Sequence, residues 1–299
     1  MADAVSSFES ASPAAAESTR FDLARGLARR RGLLATPRRK LTLALAASLV
    51  LHLLIGAAAD VEPPEDKSIT LAAKLMPLPS EADPKQLSMI TVNPPTASIL
   101  LSDFTSLQAG DFVIQNAANS GVGGYIVQLA KLRGFRTVNI VRRESAVDGV
   151  RQYGGDVVVV DGDDLEGRVK AATGGAAIRL GIDAIGGKAT DRLASCLGDG
   201  GVVVNYGGMS GEACLLSPRN LVFRDVTLKG FWLAKWFRNA TPAQQMAVFG
   251  ELAQHITTGK LQARIHATFP VSRIKEAVAA AAAGERDGKV LVVPEDEPA

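Results

Sequence analysis

Between residues 86 and 293 short runs of β-branched residues alternate with stretches of helical spacing, and this rhythm restricts the fold more than anything else in the chain. Parallel strands covered on both faces read as near-continuous apolar runs, and each needs a crossover helix to return to its starting edge. The runs fall at 112–115, 137–141, 156–160, 180–184, 202–205, 227–231 and 290–293. Between the first two, Val122, Tyr125, Ile126, Leu129 and Leu132 recur at helical spacing, and Gly134 follows as a stop. Farther on, Thr241 and Pro242 have the character of an N-cap and a first helical residue. Met246, Phe249, Leu252 and Ile256 then line one face, and Gly259 ends the helix. The pattern predicts an α/β fold over 86–299, with a doubly wound, Rossmann-like parallel sheet.

The residues ahead of this unit have another character. Residues 1–40 are rich in Ala, Ser and Arg and predict a flexible basic tail, dense in charge at Arg25, Arg29, Arg30, Arg31, Arg38, Arg39 and Lys40. Residues 41–59, LTLALAASLVLHLLIGAAA, form one apolar helical segment about as long as the roughly 20 residues that cross a bilayer. The preceding cations would hold the N-terminus on the cytoplasmic side. A single-pass anchor, a secretory signal, a mitochondrial presequence and a buried helix compete here. The apolar run starts late for a signal, and Asp3, Glu9, Glu17 and Asp22 oppose a presequence. The chain is accordingly membrane-anchored if 41–59 spans a bilayer, and cytoplasmic otherwise. Residues 60–85 form a Pro-containing linker. Ser48 and His52, four apart within SLVLH, share a helix face, and the segment resembles the anchors of TonB-type energy transducers. A neutral His bonded within a helix is the alternative.

Composition excludes several classes. Hydrophobic residues at 47% and charged residues at 21% describe a globular chain, and a net charge of +2 offers no nucleic-acid footprint. The two cysteines, Cys196 and Cys214, lie far apart, and His52, His255 and His266 have no metal-ligand spacing with them. No metal site is expected.

The chemistry is concentrated after the first strand, where FVIQ runs into NAANSGVGGY and a helix. Gly121, Gly123 and Gly124 sit where the backbone turns tightly and a ligand can approach. Amides at a helix N-terminus attract a pyrophosphate, and this position in a βαβ unit predicts a dinucleotide site. A Gly-rich packing turn is the plainer reading. At the end of the second strand, TVNIVRRE presents Arg142 and Arg143 where an NAD site usually has an acid. Guanidinium groups suit a 2′-phosphate, so the pair predicts NADPH rather than NADH. Glu144 adjoins them, and solvated arginines are the alternative.

Taken in order, VNPPTA, GDFVIQNAANSGVG, TVNIVRR, YGGM, LKGFWL and DGKVLVV resemble the mitochondrial-type trans-2-enoyl thioester reductases. These are zinc-free members of the medium-chain dehydrogenase/reductase superfamily, and the likeness covers the cofactor-binding half, about 86–293. It implies NADPH-dependent reduction of an enoyl thioester carried on coenzyme A or acyl carrier protein. It also implies cofactor contacts at Asn93, Asn119, Ser120, Gly121, Val122, Arg142, Arg143, Tyr206, Gly207, Gly208, Met209, Phe231, Trp232, Leu233 and Lys289. Trp232 as core filling and Lys289 as a solvated strand residue are the plainer readings of those two.

In that family a preceding catalytic domain supplies the proton-donating Tyr. Here Tyr125, Tyr153 and Tyr206 all belong to the cofactor half, so the catalytic residue is unassigned. The expectation is a truncated reductase that keeps NADPH binding with weak or no enoyl reduction, its segment from about Leu261 onward a remnant of the catalytic domain. A quinone reductase-like oxidoreductase and a non-catalytic or TonB-like membrane-anchored module stay open. Besides an enoyl thioester substrate, the partners left open are a second copy of the chain and, through 41–59, a membrane.

Overall fold

The computed structural model describes residues 79–283 and 286–295. The basic tail, the apolar segment 41–59 and its Ser48 and His52, and the linker as far as residue 78 lie outside the described residues. No helix among the described residues is long and apolar enough to cross a membrane.

Six parallel strands form the main sheet: β1 (Phe112–Gln115), β2 (Arg136–Val141), β3 (Val157–Val160), β4 (Leu180–Asp183), β5 (Val202–Asn205) and β6 (Thr227–Gly230), in the order β3-β2-β1-β4-β5-β6. The winding reverses between β1 and β4, which leaves a crevice beyond their carboxyl ends. Helices α1 (Pro84–Leu87), α2 (Asn93–Ser102) and α3 (Gly121–Leu132) precede β2, and α4 (Val147–Gln152), α5 (Leu165–Thr173) and α6 (Lys188–Ser195) follow it. The short α7 (Pro218–Leu221) leads to β6, and α8 (Leu233–Asn239) and α9 (Pro242–Thr257) follow that strand.

Strand alternation divides the core into two layers. Val113, Leu180, Ile182 and Val204 pack with Leu100, Ile126, Leu129, Leu252 and Ile256 on one face. Phe112, Ile114, Val138, Ile140 and Val203 pack with Leu165, Val169 and Leu193 on the other. The three helix ends read from the sequence are built as expected. Thr241 makes a capping box with Gln244, and Gly134 and Gly259 take the left-handed φ values of +77° and +68° that suit glycine past a helix end.

Three features depart from the sequence reading. The run at 290–293 is not a seventh strand of the main sheet. It belongs to β8 (Lys289–Val293), which pairs in parallel with β7 (Ile265–Pro270), a strand not anticipated, with α10 (Ile274–Ala282) as the crossover. The predicted helical stripes are also too long. Leu132, in the last turn of α3, is 39% exposed, and Met246 is 69% exposed because the buried face of α9 is Leu252, Ala253 and Ile256, with Val248 and Phe249 only partly buried against the core. Finally, packing begins ahead of Gln86, with Ala82 already buried and Asp83 accepting from Lys85 N–H at the start of α1.

These two leucines of α3 provide a stability test. Leu129→Ala opens a cavity in the core and is expected to cost about 2–5 kcal/mol in urea unfolding. Leu132→Ala, three residues on, is expected to stay within about 0.5 kcal/mol of the parent.

Candidate functional site

The turn from β1 into α3 is built on backbone contact. Ser120 is the N-cap of α3, and its Oγ accepts from Gly123 N–H at 3.1 Å. That leaves the first two amides of the helix pointing outward without an intrahelical acceptor. Ala117 takes a left-handed φ of +48°, and a methyl group on Gly123 would stand 2.4 Å from the Ala118 carbonyl oxygen. From beneath, the buried Gln115 donates to the Gly123 carbonyl at 3.1 Å and to Asn139 Oδ1 at 2.8 Å. Gly124 is also closely approached, with the ring of Tyr153 2.9 Å from where its side chain would start.

Three sequence-predicted residues converge above this turn. A methyl group on Gly121 would lie 2.9 Å from Asn93 Nδ2 and 2.8 Å from Lys289 Cε. Asn93 comes from the start of α2 and Lys289 from the start of β8, so distant segments meet over one glycine. Lys289 is therefore half-buried and not a solvated strand residue, and burial, aided by Arg286, lowers its pKa. An ammonium group beside a helix N-terminus, itself partially positive, leaves positive charge that an anion would offset. Asn119 is exposed, and Ser120 and Val122 are half-buried at the same turn.

Across the crevice, β4 ends in a buried carboxylate, Asp183, beside Asn205 at the end of β5. Asp183 Oδ1 accepts from Asn116 Nδ2 at 2.7 Å and from the Ile185 and Gly186 amides. Its Oδ2 accepts from Thr190 Oγ1 at 2.7 Å and Asn205 Nδ2 at 3.0 Å. Burial would raise the pKa of this group, but the bonds from Asn116, Thr190, Ile185 N–H and Asn205 outweigh it and hold the carboxyl below its ordinary range. Asn205 also donates to the Gly207 carbonyl, and Met209 N–H donates to Ala184 O. Tyr206 shares a hydrogen bond with Ser120 across the crevice, and burial pushes its hydroxyl up to about 12. Gly208 and Met209 are exposed beyond it.

The remaining predicted residues stand at neighbouring strand ends. Arg142 and Arg143 follow β2, the first exposed and the second half-buried. Asp161, just past β3, is occupied by Arg192 at 2.5 Å. Phe231 follows β6 and meets Phe104 edge-on at 5.7 Å. Trp232 is 48% exposed beneath Arg238, so it is not core filling, and Leu233 begins α8. The sequence reading missed Asn116, Asp183 and Asn205. Their signal was available: each is a polar residue at or just past the end of an apolar strand, FVIQN, LGID and VVVN.

Because the folded-state pKa of Asp183 is depressed, its stabilisation is complete above its unfolded value near about 3.9 and is lost as pH falls through the folded value. Urea midpoints of the parent are expected to fall below about pH 4. Asp183→Asn is expected to be less stable at pH 7 and to show a shallower acid-side decline, Glu166 and Asp191 supplying the remainder.

The family described as zinc-binding dehydrogenase matches residues 121–249. The described residues do not fit zinc: no group of three or more His, Cys, Asp or Glu among them could hold a metal, and burial pushes the Cys196 thiol up to about 12. The mitochondrial enoyl-[acyl-carrier-protein] reductase of Dictyostelium discoideum is 38% identical over 193 residues, 61% of this chain and 54% of that protein. The human enzyme of that name is 34% identical over 211 residues, 69% of this chain and 57% of its own. The chain thus spans about half the length of these relatives. Among solved structures, the mitochondrial 2-enoyl thioester reductase heterodimer of Candida tropicalis is similar at a TM-score of 0.64 and 24% identity, over 72% of this chain and 63% of that one. A mycobacterial quinone oxidoreductase is similar at 0.65 and 23%, over 73% and 67%. The chain is thus similar to the mitochondrial-type 2-enoyl thioester reductases of the medium-chain dehydrogenase/reductase superfamily over about half of their length.

Proposed function

We propose that the crevice between β1 and β4 binds NADPH and that the chain acts in the reduction of 2-enoyl thioesters. The observation that carries this reading is the meeting of Asn93 and Lys289 over Gly121 at the N-terminus of α3. Ligand-ready amides, a half-buried ammonium and a glycine closely approached by the ends of the Asn93 and Lys289 side chains together suit a pyrophosphate. Arg142 and Arg143, one strand away at the end of β2, suit the 2′-phosphate. The 206–209 loop and Trp232 stand on the far side of the switch point, where the other end of a dinucleotide would lie. NADPH supplies a hydride when bound, and the residues here bind and orient it. A solved complex of Etr1p with NADP and crotonyl-CoA has the same fold at a TM-score of 0.62.

The tyrosines of the described residues are engaged within the fold, and none is assigned the proton donor. Tyr125 is buried in the core, Tyr153 accepts from Arg264 N–H, and Tyr206 is bonded to Ser120 with its pKa far above neutrality. A quinone reductase-like activity would use the same crevice, but the sequence relatives named above favour the thioester. The outer edge of β6, with Leu221, Val222 and Phe223 exposed beside it, supports assembly with a second copy. Membrane attachment rests on 41–59 alone.

Fluorescence titration of the purified chain tests the reading. NADPH is expected to bind more tightly than NADH, and Arg142→Ala to weaken NADPH about 10–100-fold while leaving NADH within about threefold. With crotonyl-CoA added, oxidation of the bound NADPH is expected to be slow. Equal binding of both nucleotides, or of neither, would overturn the cofactor assignment.

A further inference from the structure

The carboxylate that organises the crevice does more than fill a buried position. Asp183 is fully buried, and its two oxygens divide their work between the two walls. Oδ1 holds Asn116, whose own Oδ1 accepts from Ala184 N–H at 2.8 Å, so the end of β1 is locked to the end of β4. Oδ2 holds Asn205, and the same Asn205 amide donates to the Gly207 carbonyl at 2.8 Å. One carboxylate oxygen and one side-chain amide thus separate Asp183 from the 206–209 loop. The loop starts close against the end of β4, where a methyl group on Gly207 would lie 2.9 Å from Ala184 O.

Strand order gives this linkage a direction. Strands lie about 4.8 Å apart, so β5 stands roughly 14 Å from β2 and its arginine pair across the switch point. A dinucleotide laid across that point with its 2′-phosphate at Arg142 and Arg143 has its other end beside the 206–209 loop. We propose that Asp183, acting through Asn205, is a positioning residue that sets the 206–209 loop for the nicotinamide end of the cofactor, an inference that rests on the NADPH reading.

The isosteric change to Asn is informative. In Asp183→Asn one oxygen keeps its donors, and the new amide faces the amide of Asn205. Asn205 cannot answer by turning over, since its oxygen would then oppose the Gly207 carbonyl. The Asn205 link to the loop is lost, while the Met209 N–H bond to Ala184 O and the β2 end are untouched. Asn205→Ala breaks the same linkage and leaves the carboxylate in place.

The test compares two ligands on the full chain by calorimetry: NADPH, and adenosine 2′,5′-bisphosphate, which carries only the end expected at the arginines. Asp183→Asn and Asn205→Ala are expected to weaken NADPH about tenfold or more and to leave the bisphosphate within about twofold. Leu129→Ala, destabilising but remote from the carboxylate, is expected to keep the ratio of the two affinities. Unchanged NADPH binding in Asn205→Ala, or equal weakening of both ligands in both variants, would overturn the assignment. A parent chain that binds the bisphosphate but not NADPH would overturn it too, whereas a parent that binds neither removes the cofactor reading on which it rests.

Discussion

The contact between the Ala118 carbonyl and the backbone of Gly123 is the constraint from which the crevice follows. A methyl group there would stand at 2.4 Å, so helix α3 can start this close to β1 only with glycine at that position. The close start leaves the first amides of α3 facing outward at the switch point. The left-handed turn at Ala117 and the cap from Ser120 belong to the same arrangement. A non-glycine φ of this kind costs energy and persists where its surroundings hold it. Here Gln115 braces the turn from below, and Asn116 ties it to β4.

Charge then gives the geometry its chemical meaning. A half-buried Lys289 beside the positive end of a helix is unfavourable in isolation, as is a fully buried Asp183 without donors. The two are resolved in opposite ways. Asp183 is satisfied internally by five donors from three segments, and is therefore part of the scaffold. The positive wall made by α3 and Lys289 is open toward the crevice, and is therefore the part addressed to an anionic ligand. Arg142 and Arg143 extend that wall to the end of β2.

The main sheet was legible because parallel strands buried on both faces leave unbroken runs such as FVIQ, VVVV and VVVN, and their ends fall within one residue of the expected limits. The glycine turn and the arginine pair were legible for a similar reason, since each is local in sequence. What stayed hidden is long-range. The approach of Asn93 and Lys289 to Gly121 joins segments almost 200 residues apart, and no periodicity reports it. Strand β7 carries His266 on an exposed position and ends in Pro270, so its six residues lack the unbroken apolar run. The stripes of α3 and α9 were overread because helical spacing says which side faces inward and not where along the helix the core ends.

The central claim is that a phosphorylated dinucleotide lies across the β1–β4 switch point, gripped at the start of α3. Hydrogen–deuterium exchange of the chain with and without saturating NADPH examines it most directly, because the reading assigns the ligand to named backbone amides. The account predicts slowed exchange over residues 117–123 and 206–209, with little change over 259–264 at the distal end of α3. Protection confined to that distal region, or no protection at the glycine turn while NADPH is bound, would contradict it.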